Sequence, residues 1–318
     1  MSTRATRSTG KANLEVLAAT LEEMAAADPH LTVVTSDSRG SGKLTRFGER
    51  YPAQIVEAGI AEQHLVGLSA GLAAGGRTVY AVSPASFLTT RALEQVKHDV
   101  CYSDRPVNLV GISAGVSYGA LGSTHHSLHD FAALRAIHNV IIVAPGDNWE
   151  AAEAVRAAAT SRLPVYIRFG KKALPNLPNN RAFAFGRARV LREGTDALFV
   201  TTGETAWRAL EAAEQLETDG VYTGVLHAPT VKPLDIELLL DMASRVKAVI
   251  VTEEHSVNGG LADACAAAML GAGVAPRFSV AAIPDEYTVT GTQNEILQHY
   301  GISGHGLAAS MRSLLEEA

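Results

Sequence analysis

A chain of 318 residues, 47% apolar and 19% charged, is long enough for two domains with separate buried cores. Its 27 Lys and Arg stand against 33 Asp and Glu, a net charge of -6 without a long run of either sign, which argues against nucleic acid or an anionic membrane as partner. The polar opening lacks the apolar core of a signal peptide, and no stretch approaches the roughly 18 apolar residues of a membrane span, so a cytoplasmic protein is expected. Cys101 and Cys265 lie in separate halves, which speaks against a disulfide framework. His98 and Cys101 lack the second ligand pair of a zinc site, and no metal is assigned to this chain.

Short β-branched runs alternate with helical stretches, the pattern of helices covering both faces of a mainly parallel sheet. A helix is predicted over 13–27, where Leu14, Leu17, Ala18, Leu21 and Met24 form one stripe, and strands follow at 31–35, 78–82, 107–112, 140–143 and 165–168. An amphipathic helix is expected over 92–101, and another at 147–161 opens on a capping Asp. Residues 171–185 hold Pro175 and Pro178 with Asn176, Asn179 and Asn180, a composition that suits neither helix nor central strand and reads as a linker. Strands at 197–201, 221–226 and 248–252 then alternate with helices at 204–216, 236–243 and 261–270. The expected fold is α/β, two doubly wound domains spanning 1–170 and 186–318.

Residues 54–76 carry the most chemistry. A short apolar strand runs past Glu57 and Glu62 into a helix whose Gly67, Ser69, Ala70, Gly71, Ala73 and Ala74 leave almost no side-chain bulk. Glycine costs up to ~1 kcal/mol per helix position, so Gly67 and Gly71 need a packing reason, such as a close subunit contact. Taken alone, the two acids read equally as solvated groups welcomed by a helix N-terminus. The wording Gly59-Ile-Ala-Glu-Gln-His64 before a small-residue helix, however, closely resembles the thiamine-diphosphate motif of transketolases and deoxyxylulose-phosphate synthases.

The resemblance implies that Glu62 is the catalytic acid. In the family this carboxyl shares a proton with the pyrimidine nitrogen, favouring the imino form of the exocyclic amine that deprotonates the thiazolium carbon. Such a proton exchange near neutral pH calls for a desolvated carboxyl. Ser86-Phe-Leu-Thr-Thr-Arg91 resembles the segment whose aromatic residue stacks on the aminopyrimidine, which places Phe87 there, although Pro84 stands where the family often has another aromatic. Gly122-Ser-Thr-His-His-Ser-Leu-His-Asp130 resembles the Thr-His loop, with His125 at the active-site position beside the thiazolium and the sugar. Three imidazoles in five residues could otherwise be a metal site; the resemblance accounts for His125 and leaves His126 and His129 as supporting or surface groups. Ser41 matches a phosphate-contacting Ser and Arg168 a phosphate-binding Arg, while Gly40-Ser-Gly-Lys43 lacks the spacing of a P-loop.

Two absences qualify the match. The family's Gly-Asp-Gly motif and following Asn, which hold the diphosphate and Mg²⁺, have no counterpart here; Gly146-Asp-Asn148 reads as a turn and helix cap. The chain thus corresponds to the C-terminal half of a transketolase, through Val251-Thr-Glu-Glu-His-Ser-Val-Asn-Gly-Gly-Leu261, and implies a partner subunit that carries the missing motif, in an α2β2 assembly. Further, Leu121 replaces the family's Asp before the active-site His, Ser113 replaces a further His, and Gly10 a phosphate-binding Arg for which Lys11 or Arg7 could compensate. A pocket without those groups cannot hydrogen-bond the same hydroxyls. The implied activity is ketol transfer from a ketose, phosphorylated in the family, to an aldehyde. The β-subunit of a 2-oxoacid dehydrogenase, another split acyl- or ketol-transferring enzyme, or a non-catalytic relic are the alternatives.

Overall fold

The computed structural model describes residues 8–178 and 182–316; Arg7, Asn179 and Asn180 lie outside them. The chain opens with strand β1 (Thr9–Ala12) and helix α1 (Asn13–Ala27), whose Leu14, Leu17 and Leu21 are fully buried at helical spacing. There follow β2 (Leu31–Thr35), α2 (Thr45–Arg50), β3 (Ile55–Glu57), α3 (Glu62–Ala74), β4 (Thr78–Pro84) and α4 (Ala85–Thr90). The expected 92–101 helix is instead a single turn, α5 (Leu93–Gln95), that widens into a π-helix at Val96–Tyr102. Then come β5 (Val107–Ile112), α6 (Asp130–Arg135), β6 (Ile141–Val143), α7 (Asn148–Ala159) and β7 (Val165–Arg168).

Strands β3, β2, β4, β5, β7 and β6 run parallel in that spatial order. The pleat sends Val33, Val82 and Val110 to one face, against α1 and α7, and Val34, Ala81 and Leu109 to the other, beneath α3 and α4. The carboxyl ends of these strands form one edge, where open parallel sheets place their ligands.

Residues 171–185 are not wholly irregular: β8 (Ala173–Pro175) pairs antiparallel with β1. Beyond it lie β9 (Arg189–Arg192), β10 (Ala197–Thr201), a 3-10 turn (Gly203–Thr205) leading into α8 (Ala206–Thr218), β11 (Thr223–His227) and β12 (Thr230–Lys232). The chain ends with α9 (Ile236–Ala243), β13 (Ala248–Ser256), α10 (Leu261–Gly271), β14 (Arg277–Ile283), α11 (Gln293–His299) and α12 (Gly304–Glu316). Strands β14, β13, β10 and β11 are parallel, and β9 closes that sheet antiparallel to β11. Strand β12, although it follows β11, leaves this sheet and pairs antiparallel with β6 of the first. The two halves therefore share one seven-stranded sheet rather than meeting only through side chains.

Candidate active site

Glu62 begins α3, directly after β3 and its turn, and is 2% exposed. Its Oε2 accepts a hydrogen bond from Arg91 Nη1 at 2.6 Å. Arg91 follows α4, four residues after Phe87, so helical spacing lays its guanidinium over the Phe87 ring, with Cζ 4.9 Å from the centroid. The half-buried Phe87 ring meets His125 edge-on, centroids 5.5 Å apart at 73°. His125 in turn meets Tyr118 at 5.3 Å, and Lys171 Nζ lies 4.8 Å over the Tyr118 ring. The line Glu62, Arg91, Phe87, His125, Tyr118, Lys171 thus follows the carboxyl edge of the first sheet, where α3, α4, the β5 loop and the segment after β7 converge.

The loop bearing His125 is tightly held. Thr124 Oγ1 lies 2.9 Å from His125 Nδ1, and the His125 N–H donates to the Gly122 carbonyl at 2.9 Å. His126 is buried; its ring nitrogens reach Thr288 Oγ1 at 2.6 Å and the Gly119 carbonyl at 3.0 Å. Burial pushes the His126 imidazole below its usual range, in the direction of the neutral ring such a two-ended tether needs. Ser123 and Thr288 hydroxyls lie 3.0 Å apart, so the segment before α11 fastens this loop from the second half of the chain.

Other residues read from the sequence sit elsewhere. Ser41 is exposed in the turn after β2, its Oγ donating to the Ser38 carbonyl at 3.1 Å. Arg168 is 7% exposed and engaged through two of its nitrogens: Nε donates to Asp130 Oδ2 at 2.8 Å, and Nη2 to the Ser127 and Glu254 carbonyls at 3.1 and 2.7 Å. It fastens the loop and the second sheet rather than presenting a cation at the edge. Two exposed cations lie along that edge, Arg91 and, three residues beyond Arg168, Lys171. Burial alone would raise the Asp130 carboxyl, but the Arg168 and His255 charges and the Tyr166 hydroxyl hold it below the usual range. Glu57 accepts from the Thr35 hydroxyl and the Asp37 and Gly59 N–H groups, which shapes the turn preceding Glu62. Gly10 lies in β1, where a Cβ would overlap the Asn148 amide; Ser113 is buried; Leu121 is 54% exposed.

The sequence contained signals for the missed residues. Arg91 lies within the quoted Phe87 segment at helical spacing, and Lys171 is the first cation beyond β7.

Residues 10–176 match the pyrimidine binding domain of transketolase, and residues 186–307 match the transketolase C-terminal domain. The chain belongs to the transketolase family. It is similar to an apulose-4-phosphate transketolase subunit from Phocaeicola vulgatus, 42% identical over 91% of this chain and 92% of the relative. The protein of the same name from Actinobacillus succinogenes is 36% identical over 89% of this chain and 92% of its own length. A solved structure described as "Split gene transketolase, inactive beta4 tetramer" superposes with a TM-score of 0.86 at 31% identity, covering 96% of this chain and 98% of that one. The chain spans 48% of the 1-deoxy-D-xylulose-5-phosphate synthase of Syntrophotalea carbinolica, at 33% identity over 94% of its own length. It is a transketolase-type subunit, a transferase of ketol groups, from a family whose cofactor is thiamine diphosphate. Among the described residues, no helix is long and apolar enough to cross a membrane.

Proposed function

We propose that this chain grips the aminopyrimidine ring of thiamine diphosphate, with Glu62 holding the proton at the ring nitrogen, Phe87 supporting the ring face and His125 facing the sugar. The observation that carries this reading is the contact line from Glu62 through Arg91 and Phe87 to His125. Arg91 supports this reading: its guanidinium, a planar, nitrogen-rich group, lies over the Phe87 ring while donating to Glu62. An aminopyrimidine is a group of that kind, and the exposed Arg91 side chain is free to yield to it. Bound thiamine diphosphate supplies the nucleophilic carbon on which a ketol unit is carried. Glu62, buried at the start of α3, holds and returns the proton that this chemistry needs.

The diphosphate and Mg²⁺ fall to a partner. Asp147 caps α7, accepting from the Glu150 and Leu177 N–H groups at 2.9 and 3.0 Å, and so is committed to the fold. An N-terminal-type transketolase subunit with the Gly-Asp-Gly motif and its Asn, in an α2β2 assembly, supplies those ligands. Both apulose-4-phosphate relatives are named as subunits, and the β4 tetramer is described as inactive, which together support a requirement for a second polypeptide. Two relatives named for apulose-4-phosphate support a phosphorylated ketose as donor. Lys171 then takes the phosphate role that the resemblance implies for Arg168, and Ser41, in the turn after β2, remains the second candidate for a phosphate contact. Leu121, Ser113 and Gly10 move the substrate range away from ordinary pentose and hexose phosphates.

Glu62→Gln in the complex with the partner tests the reading. It keeps size and hydrogen bonding but cannot exchange the proton, so kcat should fall roughly 10²- to 10⁴-fold with assembly intact. Deuterium exchange at the thiazolium carbon, followed by NMR, should slow in parallel; wild-type exchange in the variant would remove Glu62 from the mechanism.

A further inference from the structure

Behind the loop that carries Tyr118 and His125 lies a pair of acids that no step above uses. Glu204, in the 3-10 turn before α8, and Glu254, in β13, are 8% and 3% exposed. Gln293, at the start of α11, bridges them: its Nε2 donates to Glu204 Oε2 at 2.9 Å and to the Glu254 oxygens at 3.0 and 3.1 Å. Glu254 Oε1 also accepts from the Val116 N–H at 2.7 Å. The acids press directly on the first domain, since a Cβ on Gly115 would overlap the Glu254 carboxyl and a Cβ on Gly170 the Glu204 carboxyl. Gly115 lies in the loop with Tyr118 and His125, and Gly170 immediately precedes Lys171.

Two carboxyls bridged by one amide in a dry seam do not both ionise readily. The hydrogen bonds indicate which one keeps the proton. Both Glu254 oxygens accept, as an ionised carboxylate does, whereas Glu204 Oε1 is buried without a hydrogen-bond partner. Burial first, then the Glu254 charge, pushes Glu204 up; burial also pushes Glu254 up, against the pull of Arg168 and the Val116 N–H. The other charges facing the seam are Arg168 from β7, backed by Asp130 of α6, and Arg208 from α8, beside Glu211 on the same helix. Arg208 Nη2 donates to Asn294 at 2.8 Å.

We propose that Glu254, braced through Gln293 against Glu204, is a positioning residue for the transfer reaction: by holding the Val116 N–H it sets the turn that places Tyr118 against His125 and His125 against Phe87. The proposal rests on the role given to His125 above. The neighbouring Glu253 provides an internal control. It is equally buried, but its oxygens accept from the Leu261 and Ala262 N–H groups at 2.7 and 2.9 Å and so cap α10 instead of the loop.

The test is hydrogen–deuterium exchange of the full chain by mass spectrometry, across neutral pH and corrected for intrinsic exchange rates, on the wild type and on Glu254→Gln, Glu204→Gln and Glu253→Gln. In Glu254→Gln the NH2 that replaces one oxygen faces a donor, Gln293 Nε2 or the Val116 N–H, so the brace loosens and residues 113–127 should exchange roughly ten- to a hundredfold faster while β13 and α10 stay protected. Wild-type protection of this loop should fall as pH rises and Glu204 loses its proton; Glu204→Gln should flatten that profile, and Glu253→Gln should leave the loop unchanged. In the complex with its partner, Glu254→Gln should lower kcat more than it raises KM. Wild-type loop protection in Glu254→Gln, loss of protection spread equally over β13, or an unchanged pH profile in Glu204→Gln would each overturn the proposal. The exchange readout needs no turnover, so its failure counts against Glu254, whereas absence of ketol transfer in the wild-type complex counts against the reaction itself.

Discussion

Two buried polar knots tie the pyrimidine-binding domain to the C-terminal domain, and their charges are arranged in opposite ways. In the first, Glu150 of α7 crosses the junction to His227 of β11, with Oε2 2.9 Å from Nε2, and to Arg189 of β9, while the Gly146 N–H donates to the same carboxylate at 2.6 Å. His227 Nδ1 lies 3.1 Å from the Thr201 hydroxyl. One acid from one domain meets a guanidinium and an imidazole from the other, and every oxygen is occupied. In the second knot both acids, Glu204 and Glu254, come from the C-terminal domain and meet only an amide, a backbone N–H and more distant guanidinium groups. The first lies in the first turn of α7, and the second lies directly behind the His125 loop. A balanced knot holds two domains together at any ordinary pH. A like-charged knot is costly to keep and responds to a single proton, which is why its place beneath the site matters.

The largest effect should come from breaking the balanced knot. Glu150→Ala removes the buried carboxylate that Arg189, His227 and the Gly146 N–H all meet, and breaking a buried pair typically costs about 3 to 5 kcal/mol. Urea denaturation of the chain should show a loss of that order. A loss below about 1 kcal/mol would mean that the balance between the charges contributes little, and the contrast between the knots would collapse.

The pH dependence of stability sharpens the contrast, because the two knots carry opposite signs. Burial alone would raise the Glu150 carboxyl, but His227, then Arg189 and the Gly146 N–H, outweigh it and bring the carboxyl down to about 2. A depressed carboxyl stabilises the fold above its unfolded pKa and loses that contribution as pH falls through the folded value. From 4.5 down to about 2, roughly 3 kcal/mol should disappear. Glu204 is raised, so its contribution runs the other way: stability is fully present while both folded and unfolded states are protonated and is lost as pH rises toward neutrality. Denaturation midpoints should therefore favour Glu204→Gln over the wild type increasingly as pH rises, and favour the wild type over Glu150→Ala decreasingly as pH falls. Parallel curves for wild type and Glu204→Gln would show that Glu204 does not titrate in the seam.

The difference between the knots also marks what the sequence could reveal. Local order was legible. Helices over 13–27 and 236–243 and strands over 107–112, 165–168 and 197–201 have the bounds that apolar periodicity predicts, because each buries a face along its own length. The pairing of β1 with β8 and of β12 with β6 was not, since three- and four-residue strands owe their existence to a partner more than 80 residues away. The π-helix at Val96–Tyr102 likewise carries the apolar stripe of an ordinary helix. Glu62, Phe87 and His125 stand in local motifs, and a phrase of five or six residues suffices to propose them. Glu254 and Gln293 are 39 residues apart and meet only through the packing of the C-terminal domain, and His227 and Glu150, 77 apart, only through the packing of one domain on the other.

The smallest expected effect concerns Lys171, where the second knot meets the substrate edge. Gly170 sits against Glu204, so this backbone is fixed, yet the Lys171 side chain is exposed and touches the protein through the Tyr118 ring. An exposed cation contributes little in water, so Lys171→Met should raise KM for a phosphorylated ketose only about two- to fivefold. The kcat should stay near the wild-type value, because the phosphate contact proposed for Lys171 is remote from the reacting carbon. Added salt should reduce the difference between variant and wild type, as screening does for a solvent-exposed contact and does not for Glu254 inside the seam. Steady-state kinetics at two ionic strengths check both statements. A large kcat loss in Lys171→Met, insensitive to salt, would place Lys171 with the buried residues that order the loop and erase the distinction between a knot that positions and an edge that binds.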